Sequence, residues 1–175
     1  KQKNKLRFMS FTILKILFVV ISFQLLFIAF ILFQNRNGKR YSNNLLAIAF
    51  LFLGLSIGTL GLSLSGFFKN NPILVSIDDS FILAYGPLLY LFTKSVLIKD
   101  FKLYKKHLLH FIPFFVLSFL ILIVLLTSLN ALDDINPIYI AFLEILMLSH
   151  IAGYIIQSRV EIKSIVSKAE NKYSQ

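Results

Sequence analysis

Five long apolar stretches, Ile16–Phe33, Leu45–Phe68, Phe81–Ile98, Leu108–Leu129 and Ile138–Ile156, fill most of this chain. Charged or turn-forming residues bound each one. The hydrocarbon core of a bilayer is roughly 30 Å thick, so a spanning helix needs about 20 mostly apolar residues. Repeated runs of that length leave no room for a conventional soluble core. The expected fold class is all-α, a polytopic membrane helical bundle of about five transmembrane helices. Hydrophobic residues make up 57% of the chain and mean hydropathy is +0.78, above the apolar share of about 45–50% in soluble domains. With no Trp, any interfacial aromatic belt must come from Tyr and Phe. With no Cys, a disulfide framework, a thiolate metal site and a cysteine nucleophile are excluded.

The formal net charge of +10 invites a nucleic-acid reading, so its placement matters. Lys and Arg stand at the ends of the apolar runs, not along a groove interleaved with aromatics. That pattern sets membrane topology and argues against direct nucleic-acid binding by this segment. With five spans, the first loop (Arg36, Lys39, Arg40), the third (Lys99, Lys102, Lys105, Lys106, with Lys94 before it) and the tail (Arg159, Lys163, Lys168, Lys172) share one face. Together they hold twelve cations. The other face carries Lys15 and Lys69, and also Asp78, Asp79, Asp133 and Asp134. The positive-inside rule then puts the amino terminus outside and the tail in the cytoplasm. Lys1, Lys3, Lys5 and Arg7 oppose this orientation, a conflict that disappears if Met9 is the true start. The first apolar run exceeds a signal-peptide core of about 7–15 residues and no A-x-A site follows, so a retained span is expected.

Helix punctuation is legible. Asn43 and Asn44 are candidate caps for the second helix. Asn136-Pro137 marks the start of the last one, with proline where its missing N–H costs nothing. Pro113 suits the first turn of the fourth helix. Gly86-Pro87 should kink the third run or divide it into two half-helices. Gly54, Gly58, Gly61 and Ser65 put small residues on one face of the second helix, as in G-x-x-x-G packing. After Gln157 the composition turns mixed-charge. Residues 1–158 therefore form the expected transmembrane domain and residues 159–175 a cytoplasmic juxtamembrane helix or linker. The polar ending at Gln175 reads as a truncation.

Chemistry-bearing residues are few. Glu144 and His150 are the ionisable groups best placed within the bilayer, where a charge costs at least about 2.5–3.5 kcal/mol at mid-helix. Six residues apart, they lie about 240° apart around a helix and share no face. Buried polar packing and ligand contact are the two readings of each. Gly54-Leu55-Ser56-Ile57-Gly58 matches G-x-S-x-G formally, yet it sits inside an apolar helix and not on a strand-to-helix turn. A serine protease built on Ser56 and His150 is the sharp version of that match. His107 and His110 adjoin Lys105 and Lys106 and read as interfacial. No catalytic residue, cofactor site or metal site is expected.

Tyr85-Gly-Pro-Leu-Leu-Tyr-Leu-Phe-Thr-Lys-Ser-Val-Leu97, a basic loop, and His107-Leu-Leu-His-Phe-Ile-Pro-Phe114 occur as a pair. So do Phe23-Gln-Leu-Leu-Phe27 with Asn37-Gly-Lys-Arg-Tyr-Ser-Asn-Asn-Leu-Leu-Ala47, and Tyr154-Ile-Ile-Gln-Ser-Arg159 with its charged continuation. Their order along nearly the whole chain resembles the N-terminal membrane region of Bacteroidetes-type multi-transmembrane AraC-family transcriptional regulators. The resemblance implies signal sensing in a bacterial cytoplasmic (inner) membrane, with two further membrane helices and a helix-turn-helix domain lying beyond this chain. DNA contact would come only through that missing C-terminal domain. Expected partners are the lipid bilayer, an unknown signal ligand or partner membrane helices, and a second copy in a homodimer. The candidate signal and switch residues are Asp78, Asp79, Tyr85, Gly86, Pro87 and Glu144. A small transporter or channel component and a membrane scaffold are the alternatives.

Overall fold

The computed structural model describes residues 2–35, 40–68, 80–126 and 137–173, with side chains over 12–35, 40–68, 80–123 and 141–168. Asp78 and Asp79 lie outside the described residues, as do Asp133 and Asp134. Five helices follow in order: α1 Gln2–Gln34, α2 Arg40–Ser65, α3 Ile82–Leu97, α4 Ile112–Leu126 and α5 Pro137–Tyr173. A short helical turn, Lys105–Leu108, and a 3-10 turn, Leu109–Phe111, lead into α4. There is no strand among the described residues.

Four segments are long and apolar enough to cross a membrane: Thr12–Gln34, Arg40–Ser65, Lys105–Ile123 and Ala141–Lys168. The protein is an integral membrane helical bundle. Its surface follows from that. Phe23, Phe119, Ile145 and Leu148 are all more than 60% exposed, which water would penalise and lipid tails do not. Many of the buried positions are instead small or hydroxylated, including Ala29, Ala47, Ala84, Ser22, Ser42 and Ser95. Association of helices in lipid depends on such close backbone approach.

The helix α3 is the hub. Its 16 residues span about 24 Å, less than the roughly 30 Å hydrocarbon core. It packs against α2, α4 and α5, whereas α1 packs on α2. Gly86-Pro87 does not divide it: the helix continues through Pro87. The helix begins only five residues earlier, so the proline deprives the carbonyl of Leu83 of its partner and little else. Leu88 and Leu91, with Ala84 and Leu45 of α2, make the apolar centre. Phe52 stacks on Phe81 at 4.6 Å and approaches Phe114 at 5.6 Å, tying α2 and the start of α3 to α4.

Local signals place the helix ends. Gly66 has φ 82°, a left-handed conformation that a side chain would oppose. Its N–H donates to the carbonyl of Ser63 and that of Phe67 to Leu62, the paired bonds of a Schellman stop. The α2 helix therefore ends before the apolar run does. It also begins at Arg40, ahead of Asn43. Asn43 does not cap its own helix; its Nδ2 donates to the carbonyl of Asn35, just past α1, at 3.3 Å. In the last helix Pro137 is the first helical residue, and the helix passes Gln157 without a break.

The α1–α2 seam shows what its glycines permit. Ser22 Oγ donates to the carbonyl of Gly54 at 2.7 Å. A Cβ on Gly58 would stand 2.8 Å from Ser22 Oγ, and one on Gly61 3.1 Å from Phe18 Cβ. Gly58→Ala is expected to destabilise the bundle by about 1 kcal/mol or more through overpacking. Ser22→Ala should cost about 0.6 kcal/mol as a lost interhelical hydrogen bond. The double variant should lose less than the two combined, because removing Oγ makes room for the new methyl. Unfolding in mixed detergent micelles, followed by circular dichroism, measures this; strict additivity would mean the seam is looser than described.

Candidate functional site

Two polar stripes, each spaced along one helix face, meet between α3 and α5. On α3, Gly86, Tyr90 and Lys94 recur every four residues; on α5, His150, Tyr154 and Glu161 follow at four and seven. Gly86 is the contact point. A Cβ there would lie 2.8 Å from Cδ2 of Tyr154 and 3.2 Å from its Cβ, so the tyrosine rests on bare backbone. From that shelf the phenol hydroxyl reaches Nδ1 of His110 at 2.9 Å. Which of the two donates depends on the histidine tautomer.

Rings close the cluster. Tyr90 packs edge-on to His110 at 5.6 Å and lies 6.0 Å from Tyr154, while His150 stands edge-on to Tyr154 at 5.0 Å. Lys94 Nζ donates to the hydroxyl of Tyr90 at 3.0 Å and lies 3.8 Å from a Glu161 carboxylate oxygen. Among the described residues this is the one ion pair. Ser158 is buried and donates back to the carbonyl of Tyr154 at 2.8 Å.

Beside the cluster, α3, α4 and α5 enclose a groove of about 590 Å³. Leu83, Leu117, Leu120, Leu143 and Met147 line it, with His150 at one end. Its volume falls within the range of about 300–1,000 Å³ typical of small-molecule pockets. The imidazole of His150 makes no hydrogen bond among the described residues, and its Nδ1 is buried. His107 contrasts with it. The buried His107 accepts the backbone N–H of Tyr104 at Nδ1, 3.0 Å away, which fixes its proton on Nε2.

The structure distributes the expected candidates unevenly. Gly86 and Pro87 are buried, and Tyr85, half-buried, stands beside them on α3. Glu144 is exposed on α5, away from the cluster. Gly54, Gly58 and Gly61 belong to the separate α1–α2 seam. Ser56 and His150 stand on α2 and α5, each packed on α3, and share no hydrogen bond among the described residues. No three His, Asp or Glu side chains cluster to hold a metal ion among the described residues. Tyr154, Tyr90, Lys94, His110 and Glu161 were not singled out by sequence as a group. The i, i+4 spacing of Gly86, Tyr90 and Lys94, set against that of His150 and Tyr154, is the signal that can find them.

No family model, curated protein or solved structure matches the chain.

Replacing Gly86 with Leu is expected to push α5 from α3 by about 1 Å or more, the shortfall of 2.8 Å against an ordinary carbon contact. Because the chain has no native cysteine, spin labels at Leu89→Cys and Ile156→Cys report that separation directly. Tyr154→Ala in the same background should restore it. An unchanged distance in Gly86→Leu would remove Gly86 as the contact point.

Proposed function

We propose that this chain is the membrane-embedded signal-sensing region of a transcriptional regulator, resident in a bacterial cytoplasmic membrane. The observation that supports it is a single helix, α5, that is touched by everything a sensor needs. Its first half borders the groove and carries His150; its middle rests on Gly86 through Tyr154; its charged second half holds Lys94 through Glu161. At 37 residues it is about 55 Å long, so it extends well beyond the hydrocarbon core. A molecule wedged in the groove separates α4 from α5 and bears on the Gly86 contact. Any resulting rotation or tilt passes along an unbroken rod to residues 159–173.

The groove suits a particular chemistry. Its wall is apolar and faces the bilayer, and His150 offers one hydrogen-bonding group at its end. The fitting signal is a membrane-partitioning molecule with an apolar body and one hydroxyl or carbonyl. Pro87 lies one turn from the groove residue Leu83, and its missing N–H leaves that turn with one fewer backbone bond to resist movement. The AraC-type output is carried by the sequence resemblance, and DNA binding belongs to a domain outside this chain. The transport alternative drew on a broken helix, and α3 is continuous.

Liposomes containing the chain, a photoactivatable medium-chain fatty alcohol and a fluorophore on Lys163→Cys test the reading. Saturable labelling of α4 and α5, accompanied by a change at the fluorophore, is expected. His150→Leu should weaken labelling roughly fivefold, the worth of one hydrogen bond of about 1 kcal/mol. Solute flux through the vesicles without saturable labelling would replace the sensor with a transporter.

A further inference from the structure

One end of the bundle gathers the ends of several helices. The hydrogen bond between Ser42 and Ser95, 2.9 Å, brings the start of α2 to the end of α3. The contact of Lys94 with Glu161 adds the charged part of α5. At this end a recess of about 350 Å³ opens between α2 and the segment after α3. Arg40, Lys99 and Lys102 line it with one carboxylate, Asp100, so two positive charges remain unbalanced. Among the described residues none of these four is ion-paired. Ser42 and Ser95 form its polar floor; both are buried.

A second recess, of about 260 Å³ and apolar, lies one helical turn deeper toward the middle of the bundle. Leu45 and Leu91 line it, three and four residues from Ser42 and Ser95 respectively. A run of rings joins the two levels. Tyr41 meets Phe101 edge-on at 6.3 Å, and Phe101 stacks on His107 at 5.5 Å, with Tyr41 and Phe101 on the polar recess and His107 on the apolar one. A cationic chamber at the end of the apolar spans, set above an apolar one on the same helices, has the profile of a phospholipid: a charged head and a hydrocarbon tail.

We propose that the recess lined by Arg40, Lys99 and Lys102 binds the phosphodiester of an anionic phospholipid, whose acyl chain lies in the Leu45–Leu91 recess. Basic pockets between membrane helices recognise such head groups. Three cations can surround the phosphate oxygens. The hydroxyl of Ser42 supplies a neutral donor. Ser95 has one proton, for Ser42 Oγ at 2.9 Å or the Phe92 carbonyl at 2.7 Å, and when it donates to Ser42 the proton of Ser42 can turn to the phosphate. Asp100 at the rim disfavours a head group with a second phosphate pressed against it and leaves room for a glycerol-type alcohol. A free phosphate ion satisfies the upper recess alone; a phospholipid fills both.

The full chain, purified from vesicles of phosphatidylglycerol, phosphatidylethanolamine and phosphatidylcholine in equal parts, is delipidated stepwise and weighed by native mass spectrometry. One phosphatidylglycerol per chain is expected to outlast the other two lipids. Replacing Arg40, Lys99 and Lys102 by Gln, singly and together, should reduce its retention roughly fivefold for each cation removed. Lys163→Gln/Lys168→Gln, which removes more charge than any of the single variants but elsewhere on the surface, should leave retention unchanged. Leu91→Gln should shorten retention while inorganic phosphate binding, measured by calorimetry, stays as it was. Equal losses in the Lys163/Lys168 control, equal retention of phosphatidylcholine, or complete displacement by millimolar inorganic phosphate would each overturn the proposal. Circular dichroism of every variant separates loss of the lipid from loss of the fold.

Discussion

Two apolar helices gain no hydrophobic advantage by pairing in lipid, since the tails they leave are as apolar as they are. What remains is close backbone approach and interhelical hydrogen bonding, and this bundle uses both at successive seams. Ser22 bonds the Gly54 carbonyl between α1 and α2; Ser42 meets Ser95 between α2 and α3. Ser118 donates to Ser80 at 2.9 Å, joining α4 to the turn that leads into α3. His110 and Tyr154 link the turn before α4 to α5. Each such bond is worth only about 0.6 kcal/mol on average. Their value lies in register, because a helix slipped by one residue would strand a hydroxyl in hydrocarbon.

The same constraint explains why α3, only 16 residues long, is the most buried of the five among the described residues. Its inward positions include Ala84, Gly86, Leu88, Leu91 and Ser95, small residues together with leucines. The small ones admit Tyr154 and Ser42, while the leucines fill the space between α2 and α4. A longer, uniformly bulky helix could not accept neighbours on so many sides. Tyr154 gains its place from Gly86 and, through it, contact with Tyr90 and both nearby histidines.

The membrane class and the helix boundaries marked by Pro137 were legible in the sequence because they depend on local physics: run length and the geometry of proline. The spacing of Gly54, Gly58 and Gly61 pointed to a close-packed face for the same kind of reason. The end of α2 at Gly66 was hidden by apolar Phe67 and Phe68, which prolong the run after the backbone has turned. Asn43 misled because a capping residue serves whichever helix end reaches it, and here that end belongs to α1. Gly86-Pro87 suggested a divided helix, but a proline so near the start removes only one carbonyl's partner. The Tyr90, Lys94, His110, Tyr154 and Glu161 cluster draws on three separated segments. No single-segment pattern contains it, and it becomes visible only when the faces of α3 and α5 are laid together.

The uninterrupted length of α5 has a mechanical consequence. From the pivot at Tyr154 to Tyr173 is 19 residues, about 28 Å of stiff rod at 1.5 Å each. A tilt of about 5° at the pivot, well under an ångström for the ring where it sits on Gly86, swings the far end through about 2.5 Å. In the sensor reading proposed above, the helix is a lever with its fulcrum at Tyr154, and small displacements among the packed side chains would become movements at its far end large enough to break or make a hydrogen bond.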